Sequence, residues 1–211
     1  MAIPVLVIGK SGSGKSASMS NLDPSRVALI SVLGKPLPFR GKFDQITTDD
    51  YVKVSNAIKA TKRDIVVVDD AGYLMTNMFM KDHANTGQGN AVFNLYNNIG
   101  DKFWNMIEDI RKIRENKRVY IIMHEDQNEF GSVKPKSIGK MIDEKVCLEG
   151  MFTIVLRCMV QHGKHIFRTQ SDGLDVAKTP MGMFETEEIP NDLKMVDDTI
   201  CAYYEIGGDA K

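Results

Sequence analysis

The chain has 211 residues, of which 43% are hydrophobic and 26% charged, with a formal net charge of -1. That balance describes a globular chain without a chain-wide basic field, so any nucleic-acid contact must come from a local patch. Three cysteines (Cys147, Cys158, Cys201) give neither a disulfide framework nor C-x-x-C zinc spacing, and the first apolar run, about six residues, is far short of a membrane span. A reducing cytoplasm and no membrane role are the expectations that follow.

The first element is the apolar run Ile3-Pro4-Val5-Leu6-Val7-Ile8, followed by Gly9-Lys10-Ser11-Gly12-Ser13-Gly14-Lys15-Ser16. The octet fits G-x-x-x-x-G-K-[ST], the phosphate-binding P-loop, after a strand and before a helix expected over Lys15 to Leu22. Its glycines let backbone N–H groups wrap polyphosphate closely. Lys15 can reach the β- and γ-phosphates, and the Ser16 hydroxyl can hold Mg²⁺. A second buried strand is expected at Val27 to Leu33, a short one at Gln45 to Thr47, and a helix capped by Asp49 or Asp50 running to Lys59.

Asp64-Ile65-Val66-Val67-Val68-Asp69-Asp70 reads as a strand buried on both faces that ends in two carboxylates. Ligands of parallel sheets sit at the strands' carboxyl ends, so Asp69 is the candidate Mg²⁺ partner and Asp70 the candidate base for an attacking water. Residues 71–100, rich in Met, Gly and Asn, are expected to form a mobile loop or lid over the site. From Asp101 to Asn116 the apolar positions Phe103, Met106, Ile107, Ile110 and Ile113 predict an amphipathic helix. Arg118 to Met123 is the next strand, delivering His124 as a γ-phosphate sensor and Glu125 as a second candidate base.

Residues 128–147 contain Lys134, Lys136 and Lys140 in a Gly/Pro loop with Phe130, a place where a phosphate backbone could be tracked. Residues 151–170 predict a β-hairpin. Its His162 and His165 lack an obvious third metal ligand and are read as turn residues. Arg157, Arg168 and Lys178 are candidates to act on a neighbouring subunit's γ-phosphate. A terminal helix is expected from Asp192 through Tyr204.

Taken together, Gly9 to Ser16, Ile65 to Asp70, Met123-His124-Glu125, Ile138 to Lys145 and Ala177 to Phe184 resemble the small phage-encoded ATP-binding proteins with a RecA-like core, which are associated with single-strand annealing and recombination. The resemblance implies an α/β P-loop NTPase, RecA-like, with a mostly parallel sheet flanked by helices, in one domain over residues 1–211. It also implies ATP and Mg²⁺ as ligands, single-stranded DNA as partner, homo-oligomers, recombination or replication proteins as associates, and the host cytoplasm as location. One departure stands out: Ser31 to Lys35 offers no catalytic glutamate after the second strand, so either Asp70 or Glu125 takes that role, or hydrolysis is slow and ATP acts mainly as a conformational ligand. A nucleotide-gated adaptor or loader acting on a protein shares every motif. A P-loop kinase would need an arginine-bearing lid, and residues 71–100 contain no arginine.

Overall fold

The computed structural model describes residues 1–113, 116–139 and 141–206. Its strands are β1 (Ile3–Gly9), β2 (Val27–Ser31), β3 (Asp44–Thr47), β4 (Ile65–Asp69), β5 (Arg118–Gln127), β6 (Val133–Pro135), β7 (Ile154–Gln161), β8 (Lys164–Arg168) and β9 (Glu188–Pro190). The α-helices are α1 (Tyr51–Ala60), α2 (Gly72–Asp82), α3 (Asn90–Arg111) and α4 (Leu193–Tyr203).

Among the described residues the strands join in the order β3-β2-β4-β5-β1-β7-β8-β9, with β6 paired to β5. The pairs from β3 across to β7 are parallel, whereas β7–β8, β8–β9 and β5–β6 are antiparallel. The result is the expected mostly parallel sheet flanked by helices, with a hairpin toward the C-terminus. His162 at φ 50° and Gly163 at φ 76° turn that hairpin, the left-handed pair that a two-residue connection requires.

Strand alternation explains how the two sheet faces are filled. Leu6, Ile8, Val66, Val68, Val119 and Ile121 point to one face and meet Val54, Leu74, Ile99, Phe103 and Ile107 of the first three helices. Val5, Val7, Leu29, Val67, Tyr120 and Ile122 point to the other and meet Met19, Leu22 and the α4 residues Leu193, Val196 and Ile200. Because both faces are covered, the inner strands read as continuous apolar runs. Asp50 caps α1 by accepting from the Val52 and Lys53 amides, and Asp192 caps α4 by accepting from the Lys194 amide.

Two expectations are corrected. The segment after the P-loop is a five-residue 3₁₀ turn, Ala17–Asn21, in place of a helix over 15–22. Ser18 donates its hydroxyl back to the Lys15 carbonyl at 2.6 Å, a local bond that competes with helical propagation, and Pro24 follows soon after. Residues 71–100, expected as a loop, are mainly helical: they hold α2, a 3₁₀ turn at His83–Asn85 and the first turns of α3. Leu95, Ile99 and Phe103, at i, i+4 and i+8, extend the buried stripe of α3 backward through an Asn-rich stretch.

Candidate functional site

The site forms where β1, β4 and β5 end side by side. β5 lies between β1 and β4, and Gly9 is in register with His124, so the loop after β1 is flanked by His124 and then by the β4 carboxylates. A cavity of about 390 Å³ is lined by Ser11, Gly12, Gly14, Lys15 and Ser16 together with Lys35, Asp69, Asp70, His124 and His165. The expected phosphate, metal and sensor residues therefore share one mouth.

Lys15 is buried, and its Nζ donates to the Gly9 and Lys10 carbonyls, each at 2.8 Å. Burial pulls this ammonium below the ordinary lysine range, partly offset by nearby negative charge that includes Asp70 and Asp69. Ser16 Oγ donates to Asp69 Oδ1 at 2.9 Å, and the Asp70 amide donates to the same oxygen at 3.1 Å. A hydroxyl and a carboxylate in contact form an oxygen donor set suited to Mg²⁺. Burial, then the adjacent Asp70 charge, push the Asp69 carboxyl up.

Consecutive strand residues point to opposite faces, yet Asp69 and Asp70 both line the cavity. The backbone breaks the alternation at Asp70, which takes φ 59°, a left-handed conformation uncommon outside glycine. Asp70 Oδ2 pairs with Lys35 Nζ at 2.6 Å, and His124 Nε2 lies 3.8 Å from Asp70 Oδ1. The bond to Asp70 raises Lys35. Burial, then the Lys15 charge, lower His124, which favours neutral imidazole.

Glu125, expected as an alternative base, is engaged elsewhere. Arg157 donates to both of its oxygens at 3.0 and 3.1 Å and to Asp175 at 3.2 Å. Arg157 is thus held within its own chain, as is Arg168, which pairs with Asp172, Asp175 and Glu188. Lys178 is half-buried and pairs through its backbone with Val155. Lys10 Nζ donates to Gln127 Oε1 at 3.0 Å.

β5 continues past the sheet and returns as β6, carrying Phe130 at the turn with 81% exposure. Lys134 lies in β6, Lys136 follows it, and Lys140 lies outside the described residues. The Lys136 amide donates to the His124 carbonyl at 2.8 Å. A second cavity, about 450 Å³, adjoins the first, sharing Ser11 and His124 and adding Lys10, Tyr73, Lys136 and Ile138.

Three contributors escaped the sequence reading. Lys35 reaches Asp70 across a sheet-order neighbour. His165, read as a turn residue, sits on β8 with Nδ1 2.7 Å from the Ser13 carbonyl, and Asn191 donates to the Gly14 carbonyl at 3.1 Å. No local pattern signals these long-range pairs.

A family model described as an AAA domain matches residues 1–181. No curated protein matches the chain. Among solved structures it is similar to the X-ray structure of the Legionella pneumophila ATPase DotB, at 8% identity and a TM-score of 0.35. That similarity covers 96% of this chain and 52% of the other, so the chain spans about half the length of that structure.

Proposed function

The chain belongs to the AAA-domain family and has an α/β P-loop NTPase fold, and on that premise we propose that it hydrolyses ATP with Mg²⁺ and couples the nucleotide to single-stranded DNA in a recombination or replication setting. The observation that carries the ATPase reading is the meeting of Lys15, Ser16, Asp69 and Asp70 around one cavity. Lys15 exchanges its two carbonyl partners for β- and γ-phosphate oxygens and neutralises charge there. Ser16 and Asp69 hold Mg²⁺, which supplies charge neutralisation on the phosphates. Asp70 orients water for in-line attack on the γ-phosphate and accepts its proton. Lys35 holds that carboxylate in place through their 2.6 Å contact. His124, neutral and beside Asp70, reports the γ-phosphate through β5.

Support for DNA as partner comes from the second cavity. Neither Lys10 nor Lys136 is in an ion pair among the described residues, and Tyr73 and Ile138 give the cavity an aromatic and an aliphatic wall. Cations beside apolar surface suit a phosphate with its base. Because His124 lines both cavities, occupancy of one bears on the other. The reading is tested by ATP turnover with and without a single-stranded oligonucleotide, beside DNA binding over a salt series. Turnover should rise and binding should weaken with salt. Absence of both would redirect the search to protein partners and phosphoryl acceptors.

A further inference from the structure

Three side chains from late in the chain converge on the P-loop carbonyls, and one of them, His165, also lines the cavity. His165 Nδ1 lies 2.7 Å and Cys158 Sγ 3.0 Å from the Ser13 carbonyl, and Asn191 Nδ2 donates to the Gly14 carbonyl at 3.1 Å. A carbonyl only accepts, so His165 carries its proton on Nδ1. Burial pushes the Cys158 thiol up to about 11, which keeps it an S–H donor at neutral pH. The approach is close: a Cβ on Gly14, at φ 103°, would collide with the Asn191 amide and the His165 ring.

The peptide unit is planar and trans, so fixing a carbonyl fixes the N–H on its opposite side. The Ser13 carbonyl shares its plane with the Gly14 N–H, and the Gly14 carbonyl shares its plane with the Lys15 N–H. A loop that cradles an anion turns such N–H groups inward and its carbonyls outward. We propose that His165 and Asn191 are positioning residues that lock these two peptide planes, aiming the Gly14 and Lys15 N–H groups into the cavity before a polyphosphate arrives.

The brace fits the local architecture. The turn after the loop is only five residues long and is itself tied to the same segment, Asn21 donating to Asp192 Oδ2 at 2.9 Å. Asn191 lies beyond residues 1–181, the part of the chain that the family model matches. The inference rests on the reading of the loop as a polyphosphate site.

The test uses the full chain with Asn191→Ala, His165→Ala and His165→Gln, titrated calorimetrically with ADP and with tripolyphosphate. Each alanine variant is expected to bind both ligands roughly fivefold more weakly, the loss of about one hydrogen bond. KM for ATP should rise with kcat retained, and His165→Gln, which keeps an N–H donor, should recover most of the affinity. Unchanged affinities and KM in the alanine variants would overturn the brace. So would equal losses in His165→Ala and His165→Gln accompanied by a lower ligand-free melting temperature, because that pattern marks a folding role. A wild-type chain that binds neither ligand would instead overturn the polyphosphate reading.

Discussion

The surroundings of Asp69 disfavour its charged form. Its carboxyl lies above the ordinary value of 3.8 because it is buried and because Asp70 adds a second negative charge. A group raised in the fold contributes stability that is complete below its unfolded value and is lost as pH rises through its folded value. Asp69→Asn, which keeps an oxygen for the Ser16 and Asp70 donors, should therefore melt a few degrees above wild type at pH 7 without ligand. The gap should close as pH falls toward 3.8, and Mg²⁺-dependent nucleotide binding should be weakened; a gap independent of pH would reject the charge explanation. Lys15→Ala should lose nucleotide binding with the fold intact by circular dichroism. Asp70→Asn should bind ATP but turn it over on the order of 10²–10⁴ times more slowly, the usual worth of a positioned base. That Lys15, Ser16 and Asp69 meet at one cavity was legible in sequence, because the octet places the first two in one loop and the apolar run Ile65–Val68 delivers the third to the same sheet edge. The engagement of Glu125 by Arg157 was not, because it joins residues 32 apart on two strands.

At the scale of elements, α4 owes its place to a buried charge cluster. Arg118 Nε and Nη2 each donate to an Asp197 oxygen at 2.9 Å, and Tyr120 donates its hydroxyl to Oδ1 at 2.9 Å; all three are nearly inaccessible. Removing one member leaves an uncompensated buried charge, at a cost of about 3–5 kcal/mol. Asp197→Ala should accordingly lower the melting temperature by roughly 6–20 °C. Lys194→Ala, which breaks an exposed pair with Asp198 on the same helix, should change it little. Sequence periodicity marked α1, the later part of α3 and α4, and β-branched runs marked the inner strands. It missed α2 and the start of α3 because Gly and Asn colour residues 85–90, while the stripe Leu95–Ile99–Phe103 becomes informative only when read backward from the helix that packs on the sheet. It overestimated the helix after the P-loop because propensity does not register the Ser18 hydroxyl bonding to the chain itself.

Across the whole molecule, strand order makes the site. Placing β5 between β1 and β4 sets His124 beside Gly9 and near Asp70, and the continuation of β5 into β6 carries that position outward to Phe130 and the lysines. Motif order along the chain anticipated the shared mouth, since parallel strands end on one edge. The second cavity was invisible in sequence because it exists only when the α2 start, the P-loop and the segment after β6 meet. The most direct test is the steady-state rate of ATP hydrolysis by the wild-type chain as a single-stranded oligonucleotide is titrated in, with Lys15→Ala as reference. Turnover should be Mg²⁺-dependent, absent from the variant and raised by the oligonucleotide, whose affinity should fall by about 0.7 log units per tenfold rise in salt for each phosphate neutralised. A rate that stays flat while the oligonucleotide fails to bind would contradict the coupling, and equal phosphate release by wild type and Lys15→Ala would contradict the site itself.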